Sequence, residues 1–142
     1  MPGIPFHFHY AVGLHDTDAA AILFAANLTR ICHQAYEAMM KDIGYGIGRL
    51  LRERPFGVPL VHIEGDFLCP LRCGDEVDIV TRIGELGSSS YRVEYALVTP
   101  DNKTAAKAAT VHVCVELKTH RPIELPAEFR AALSKHFVPA DA

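Results

Sequence analysis

The sequence lacks a basic run, and it lacks any stripe in which basic and aromatic residues alternate. Its net charge is −3, from 14 Lys and Arg against 17 Asp and Glu. This balance does not favour nucleic acid as a partner. Isolated basic residues can still meet a phosphorylated small molecule. No apolar stretch approaches the roughly 20 residues of a membrane span. Met1-Pro2-Gly3-Ile4-Pro5 leads straight into a strand pattern, without a charged segment followed by an apolar one. No signal peptide is expected, and the expected location is cytoplasmic. The only cysteines are Cys32, Cys69, Cys73 and Cys114, scattered along the chain. Such scatter suits reduced thiols better than a disulfide framework. Cys69 and Cys73, with His62 or His112, make only a weak zinc pattern, so no metal is expected. The sequence shows no internal repeat, no low-complexity tract and no linker.

Hydrophobic residues, by contrast, make up 49% of the 142 positions. That is enough for a real core, and the length fits one domain over residues 1–142. Phe6, Phe8, Tyr10, Val12 and Leu14 alternate with His7, His9, Ala11 and Gly13, the period of a half-buried strand. From Phe24 the period changes. Phe24, Leu28, Ile31, Cys32, Ala35, Tyr36, Met39, Met40 and Ile43 follow helical spacing, and Gly44 is a natural stop. Arg30, His33, Gln34, Glu37 and Lys41 lie on the opposite side. Residues 44–54 are ambiguous between a loop and a short helical turn. Strand patterns then cover 58–68, 76–86, 91–98 and 104–117, separated by Pro70 to Asp75, Gly87-Ser88-Ser89 and Pro100 to Lys103. A short helix is expected over 126–136, with Pro126 near its first turn. One strand, one long apolar helix and four closely connected strands imply an α+β fold. In it an antiparallel sheet of about five strands covers the helix.

The chemistry concentrates in Leu14-His15-Asp16-Thr17-Asp18-Ala19-Ala20-Ala21-Ile22-Leu23-Phe24-Ala25-Ala26-Asn27. Two carboxylates sit on a short turn ahead of an apolar helix. Carboxylates beside apolar surface are expensive unless something pairs with them or uses them. The start of a helix presents unpaired backbone N–H groups and positive partial charge. Asp18 could act as a base or nucleophile toward a carbonyl whose oxygen rests on those amides. Equally, Asp16 or Asp18 could simply cap the turn.

This stretch resembles the signature of the 4-hydroxybenzoyl-CoA thioesterase family. In that signature a D-x-D pair precedes two small residues, a glycine, two aliphatics, aromatics and asparagine. Pro70-Leu71-Arg72-Cys73-Gly74-Asp75 is similar to that family's proline-to-Gly-Asp turn. Cys32-His33-Gln34-Ala35-Tyr36-Glu37, Pro59-Leu60-Val61-His62 and His112-Val113-Cys114-Val115 resemble its 1,4-dihydroxy-2-naphthoyl-CoA hydrolase branch, of phylloquinone and menaquinone synthesis. The resemblance implies a hotdog fold, with the sheet wrapped around the long helix. It implies hydrolysis of an acyl-CoA thioester without a cofactor, in a homodimer or homotetramer with sites at the dimer interface. It makes Asp18 catalytic and Asp16 structural, and it places the backbone N–H of Ala25 as oxyanion donor. Phe24 and His62 are the expected substrate contacts, though His62 could equally be a hydrogen-bonded core histidine. A broader short- or medium-chain acyl-CoA thioesterase, or a silent module that binds acyl thioesters, are the rivals.

Two departures stand out. The family's glycine is Ala21 here, and alanine at positive φ is strained, so an ordinary φ or a slightly moved turn is expected. Gly87-Ser88-Ser89-Ser90 replaces a basic cluster that grips nucleotide phosphates in some members. That leaves Arg92, Lys103 or Lys107 as candidates. Ser88 to Ser90 lack the strand-turn-helix setting of a nucleophilic serine, and read as a hairpin. His7, His9 and His15 read as surface residues.

Overall fold

The computed structural model describes residues 3–23 and 25–139. The strands are β1 (Phe6–Ala11), β2 (Leu60–Phe67), β3 (Glu76–Leu86), β4 (Ser90–Val98) and β5 (Thr104–Val113). The helices are α1 (Ala25–Asp42) and α2 (Ile47–Glu53), which precede β2, and α3 (Ala127–Leu133), which follows β5. Short 3₁₀ turns occupy Leu14–Asp16 and Ser134–His136. All strand pairings are antiparallel, in the order β1-β3-β4-β5-β2.

Alternation along β3 and β4 sends Val77, Ile79, Thr81 and Ile83, and Tyr91, Val93, Tyr95 and Leu97, to the buried face. The helix they cover is α1, whose Leu28, Ile31, Cys32, Ala35, Tyr36, Met39 and Met40 are buried. This is one continuous stripe at helical spacing, and the hydrophobic effect fixes which way α1 faces. Gly44, at φ +88°, takes the left-handed conformation just beyond the helix end. α1 touches β1 and β2, the two edge strands, as well as β3 and β5. The sheet therefore curves around it from edge to edge, as the resemblance implies.

Residues 47–53 resolve as the seven-residue α2. β5 stops at Val113, short of the expected 117. There the Cys114 amide donates to the Ser89 carbonyl at 2.8 Å, and Val115 pairs with Gly57 instead of β2.

β2 is the edge that departs from the rest: every residue in it is exposed, on both faces. Its pairing with β5 carries a bulge, because Leu60 aligns with His112 and His62 with Val111. Val61 is thus the extra residue, and the alternation inverts across it. Leu60, Ile63, Gly65 and Phe67 share the face that looks toward α1, whereas His62, Glu64 and Asp66 look outward. A Cβ on Gly65 would lie 3.0 Å from the Leu28 side chain, which confirms the direction. Ile63 and Phe67 remain 40% and 39% exposed on that inner face.

Candidate active site

Asp16 and Asp18 sit two residues apart and have opposite surroundings. Asp16 is completely buried. The Tyr10 hydroxyl donates to its Oδ2 at 2.6 Å and the Gly13 amide to the same oxygen at 2.9 Å. The Arg30 guanidinium pairs with Oδ1, and His15 Nε2 lies 3.4 Å from it. Burial alone would raise the carboxyl's pKa, but the Tyr10 hydroxyl, the Gly13 amide, His15 and Arg30 together hold it below its ordinary value. The Asn27 side-chain amide also donates to the Asp16 carbonyl at 2.9 Å. The first two turns of α1 thus reach back, through Asn27 and Arg30, and clamp the 3₁₀ turn. Neither partner is legible from local spacing, since Arg30 is 14 residues away and Tyr10 lies on β1.

Asp18 is exposed and immediately precedes a three-residue hairpin loop, Ala19 to Ala21. Its amide donates to Ile22 O at 2.9 Å, the Ala21 amide donates to Asp18 O at 2.9 Å, and Thr17 bridges Leu23. Its Oδ1 accepts from the amides of Ala20 at 2.8 Å and Ile22 at 3.3 Å. Oδ2 has no hydrogen-bond partner among the described residues. The third loop position is the one that such hairpins commonly hold left-handed. Ala21 occupies it at φ +61°. This corrects the expectation of an ordinary φ: four hydrogen bonds close the loop in this shape, and the alanine is carried into the conformation that suits glycine.

The far side of the loop is anchored to the segment after β2. The Leu23 amide donates to Leu71 O at 2.7 Å, and Ile22 bridges Arg72. Ala25 is the first residue of α1. The leading amides of a helix have no acceptor within it. Asp18 and Ala25 line one open groove of about 480 Å³, with Ile22, Leu23, Phe67, Leu68, Cys69 and Pro70. The exposed Asp18 and the first residue of α1 therefore line one concave surface with apolar walls.

The other expected contacts are placed differently. Phe24 lies outside the described residues. His62 is turned away from α1 by the bulge at Val61, and its Nε2 sits 2.9 Å from Glu64 Oε1 on the outer face. It does not line the Asp18 groove. Arg92, a candidate for phosphate contacts, is engaged by Glu94 at 2.6 Å and Glu64 at 3.3 Å on that same outer face. Lys107 is exposed there, and Lys103 lies 3.6 Å from Asp101.

The sequence profile of the thioesterase-like superfamily matches residues 12–133. The chain belongs to that superfamily. Two relatives of this thioesterase-like chain are 1,4-dihydroxy-2-naphthoyl-CoA hydrolases. The one from Synechococcus elongatus is 34% identical over 122 residues, 85% of this chain and 89% of the relative. The one from Rippkaea orientalis is 36% identical over 112 residues, 78% and 81% respectively. Among solved structures, a 1,4-dihydroxy-2-naphthoyl-CoA thioesterase from Synechocystis superposes with a TM-score of 0.84 at 27% identity, covering 91% of this chain and 95% of its own. The α+β hotdog architecture read from the sequence is thus the observed one. No helix among the described residues is long and apolar enough to cross a membrane.

Proposed function

We propose that this thioesterase-like protein hydrolyses an aromatic acyl-CoA thioester, 1,4-dihydroxy-2-naphthoyl-CoA, with Asp18 as the reacting carboxylate. One observation carries the reading: Asp18 and Ala25 line the same groove. The substrate rests on the relatives of that name. With the thioester oxygen on the Ala25 N–H, the carbonyl carbon faces the Asp18 carboxylate. Attack by that oxygen forms a mixed anhydride and expels the CoA thiolate, and water then cleaves the anhydride. Alternatively the carboxylate takes a proton from water, which attacks directly and gives acid and thiol. In both routes negative charge builds on the carbonyl oxygen, where one pre-aimed donor is worth about 3 kcal/mol. Thiolate is a good leaving group, so neither route demands a separate strong acid.

A second copy of the chain completes the groove. β2 offers unpaired backbone groups and exposed Ile63, Phe67 and Leu68 at the sheet edge. An edge of this kind invites pairing with another strand. Two β2 strands running antiparallel would cover it on both protomers.

Asp18→Asn tests the chemistry. Free-thiol release from 1,4-dihydroxy-2-naphthoyl-CoA is expected to fall at least about 100-fold in kcat, with the melting temperature unchanged. Turnover near wild type would overturn the role of Asp18. Faster turnover of butyryl- or octanoyl-CoA by the wild type would favour a broad alkyl thioesterase. Binding of the thioester without release of thiol would favour a silent module.

A further inference from the structure

A wide cleft of about 600 Å³ opens between the end of α1, the 43–46 loop and α2. That size is in the range of small-molecule pockets. The cleft shares no lining residue with the Asp18 groove. Lys41, which lines it, lies about 24 Å along α1 from Ala25. It is therefore a separate concavity and not an extension of the groove. An adjoining pocket of about 380 Å³, floored by the stacked rings of His112 and Tyr36, shares only Glu37 and Ile47 with it.

Three cations, Lys41, Arg49 and Arg52, line the cleft against one carboxylate, Glu37. The chain as a whole has a net charge of −3, so this positive charge is a local concentration. Arg49 is fixed in place. Its Nε donates to Glu53 Oε2 at 3.1 Å and one Nη to the Gly44 carbonyl at 2.5 Å. Its guanidinium carbon lies 5.4 Å from the centre of the Tyr45 ring, which packs on Phe129 at 4.8 Å. A guanidinium has five N–H donors, so three of Arg49's remain for a ligand. Lys41 and Arg52 have no hydrogen-bond or ion-pair partner among the described residues, although Glu37 stands one turn from Lys41. The carbonyls that end α1 do not repel an anion here, because those of Met39, Met40 and Lys41 accept from the amides of Ile43, Tyr45 and Gly44 at 3.1, 2.9 and 3.1 Å. A pre-aimed guanidinium beside a free ammonium and a free guanidinium is a donor set for phosphate oxygens.

The space between these cations is kept empty by Gly44-Tyr45-Gly46-Ile47-Gly48. Gly44 is required by its φ of +88°. The fold does not require the other two glycines, since neither has a positive φ. A Cβ at Gly46 would stand 3.7 Å from Lys41, and one at Gly48 would stand 3.4 Å from the Arg52 guanidinium, both ordinary contacts. Gly48 moreover lies inside α2, where glycine is less stable than almost any other residue. What these two positions supply is room beside Lys41 and Arg52.

We propose that this cleft binds a small molecule carrying a diphosphate or two phosphate groups, whose oxygens pair with Lys41, Arg49 and Arg52. At least two negative charges are needed to match three cations set against Glu37. The assignment does not depend on the chemistry at Asp18. The test is isothermal titration calorimetry of the full chain with inorganic pyrophosphate at constant ionic strength. One site per chain is expected, with an affinity at least about tenfold above that for sulfate. Lys41→Gln and Arg52→Gln should each weaken binding at least about tenfold. Their melting temperatures should stay at the wild-type value, since both side chains are exposed and unpaired among the described residues. Gly48→Leu should abolish binding by filling the cleft, without lowering the melting temperature. Asp18→Asn should bind pyrophosphate as the wild type does. Equal affinity for pyrophosphate and sulfate, or undiminished binding in the Lys41, Arg52 and Gly48 variants, would overturn the proposal. So would binding that disappears with Asp18→Asn, which would put the anion in the groove. Flotation with phosphatidylglycerol vesicles separates the remaining source of phosphate. A protein that floats with them but ignores pyrophosphate carries a lipid-facing patch, with the 64% exposed Leu51 beside Arg52, and the small-molecule site is refuted.

Discussion

Replacing Ala21 by glycine should stabilise the protein. Ala21 holds φ +61° in the loop that carries Asp18. A left-handed alanine costs about 1–2 kcal/mol through contact of its Cβ with the backbone. Its side chain is exposed, so no packing is lost on removing it. The loop's hydrogen bonds run through backbone groups and the Asp18 carboxylate, and all survive the change. Against the relief stands the extra freedom glycine gives the unfolded chain, about 0.4–1 kcal/mol. The difference is a net gain of about 0.5–1 kcal/mol. For a chain of this size that raises the melting temperature by about 1–4 °C. Differential scanning calorimetry and urea titration at matched protein concentration read the change. Matching matters because any oligomer makes the midpoint depend on concentration. Ala20→Gly is the control. Ala20 is exposed in the same loop but not at positive φ, so glycine there brings only the entropic loss and should lower stability. Opposite signs are expected from two adjacent alanines. If both variants lose stability alike, the strain at Ala21 does not exist and the loop geometry is wrong.

Burial and the nearby His33 push the pKa of His112 down to about 4, while its hydrogen bond to Val58 opposes the shift. Between about 4 and the ordinary histidine value of 6.5 the unfolded chain binds a proton that the folded chain refuses. Stability should therefore fall as pH drops through that window, by about 3 kcal/mol in all. Urea titrations at stepped pH measure the slope, and His112→Gln should flatten it; an unchanged slope would place the titration elsewhere. If two β2 strands pair as proposed, Ile63→Lys at the sheet edge should leave a monomer by sedimentation velocity, through the charge it sets on the inner face of β2. It should also abolish thioester turnover while circular dichroism stays native. A dimer that survives with full activity would mean that β2 is not the joint.

Much of this molecule could be read from periodicity. α1 and β3 announce themselves because each buries one face over many residues, and the pattern repeats often enough to be unmistakable. The D-x-D stretch marked the groove because its residues are close in sequence. What escaped depends on contacts that are distant or on a single misplaced residue. The sequence offers His62 as a substrate contact or a core histidine, and the one-residue bulge at Val61 turns it to the exposed outer face. Ala21 was expected at ordinary φ because the loop closure that forces it involves four hydrogen bonds no propensity records. α2 was ambiguous because seven residues, with Gly48 among them, give too few turns to show a period. The ring-floored pocket draws on α1, α2, the 56–60 segment and β5, so nothing local signals it. Asp16's partners Tyr10 and Arg30 are equally remote.

The absent side chain at Gly65 reaches further than its place on the sheet suggests. Leu28 rests in the gap it leaves: a Cβ there would stand 3.0 Å from the end of the Leu28 side chain, which would have to give by a few tenths of an ångström. The Asp18 loop is tied to the segment after β2 through Leu71 and Arg72, and the turn just before it is tied to α1 through Asn27 and Arg30. Gly65 thus bears on the helix that opens at Ala25, beside the loop that carries Asp18. A larger residue at that position would press on Leu28 in the first turn of α1, and so reach the proposed site from a position that no substrate atom needs to touch.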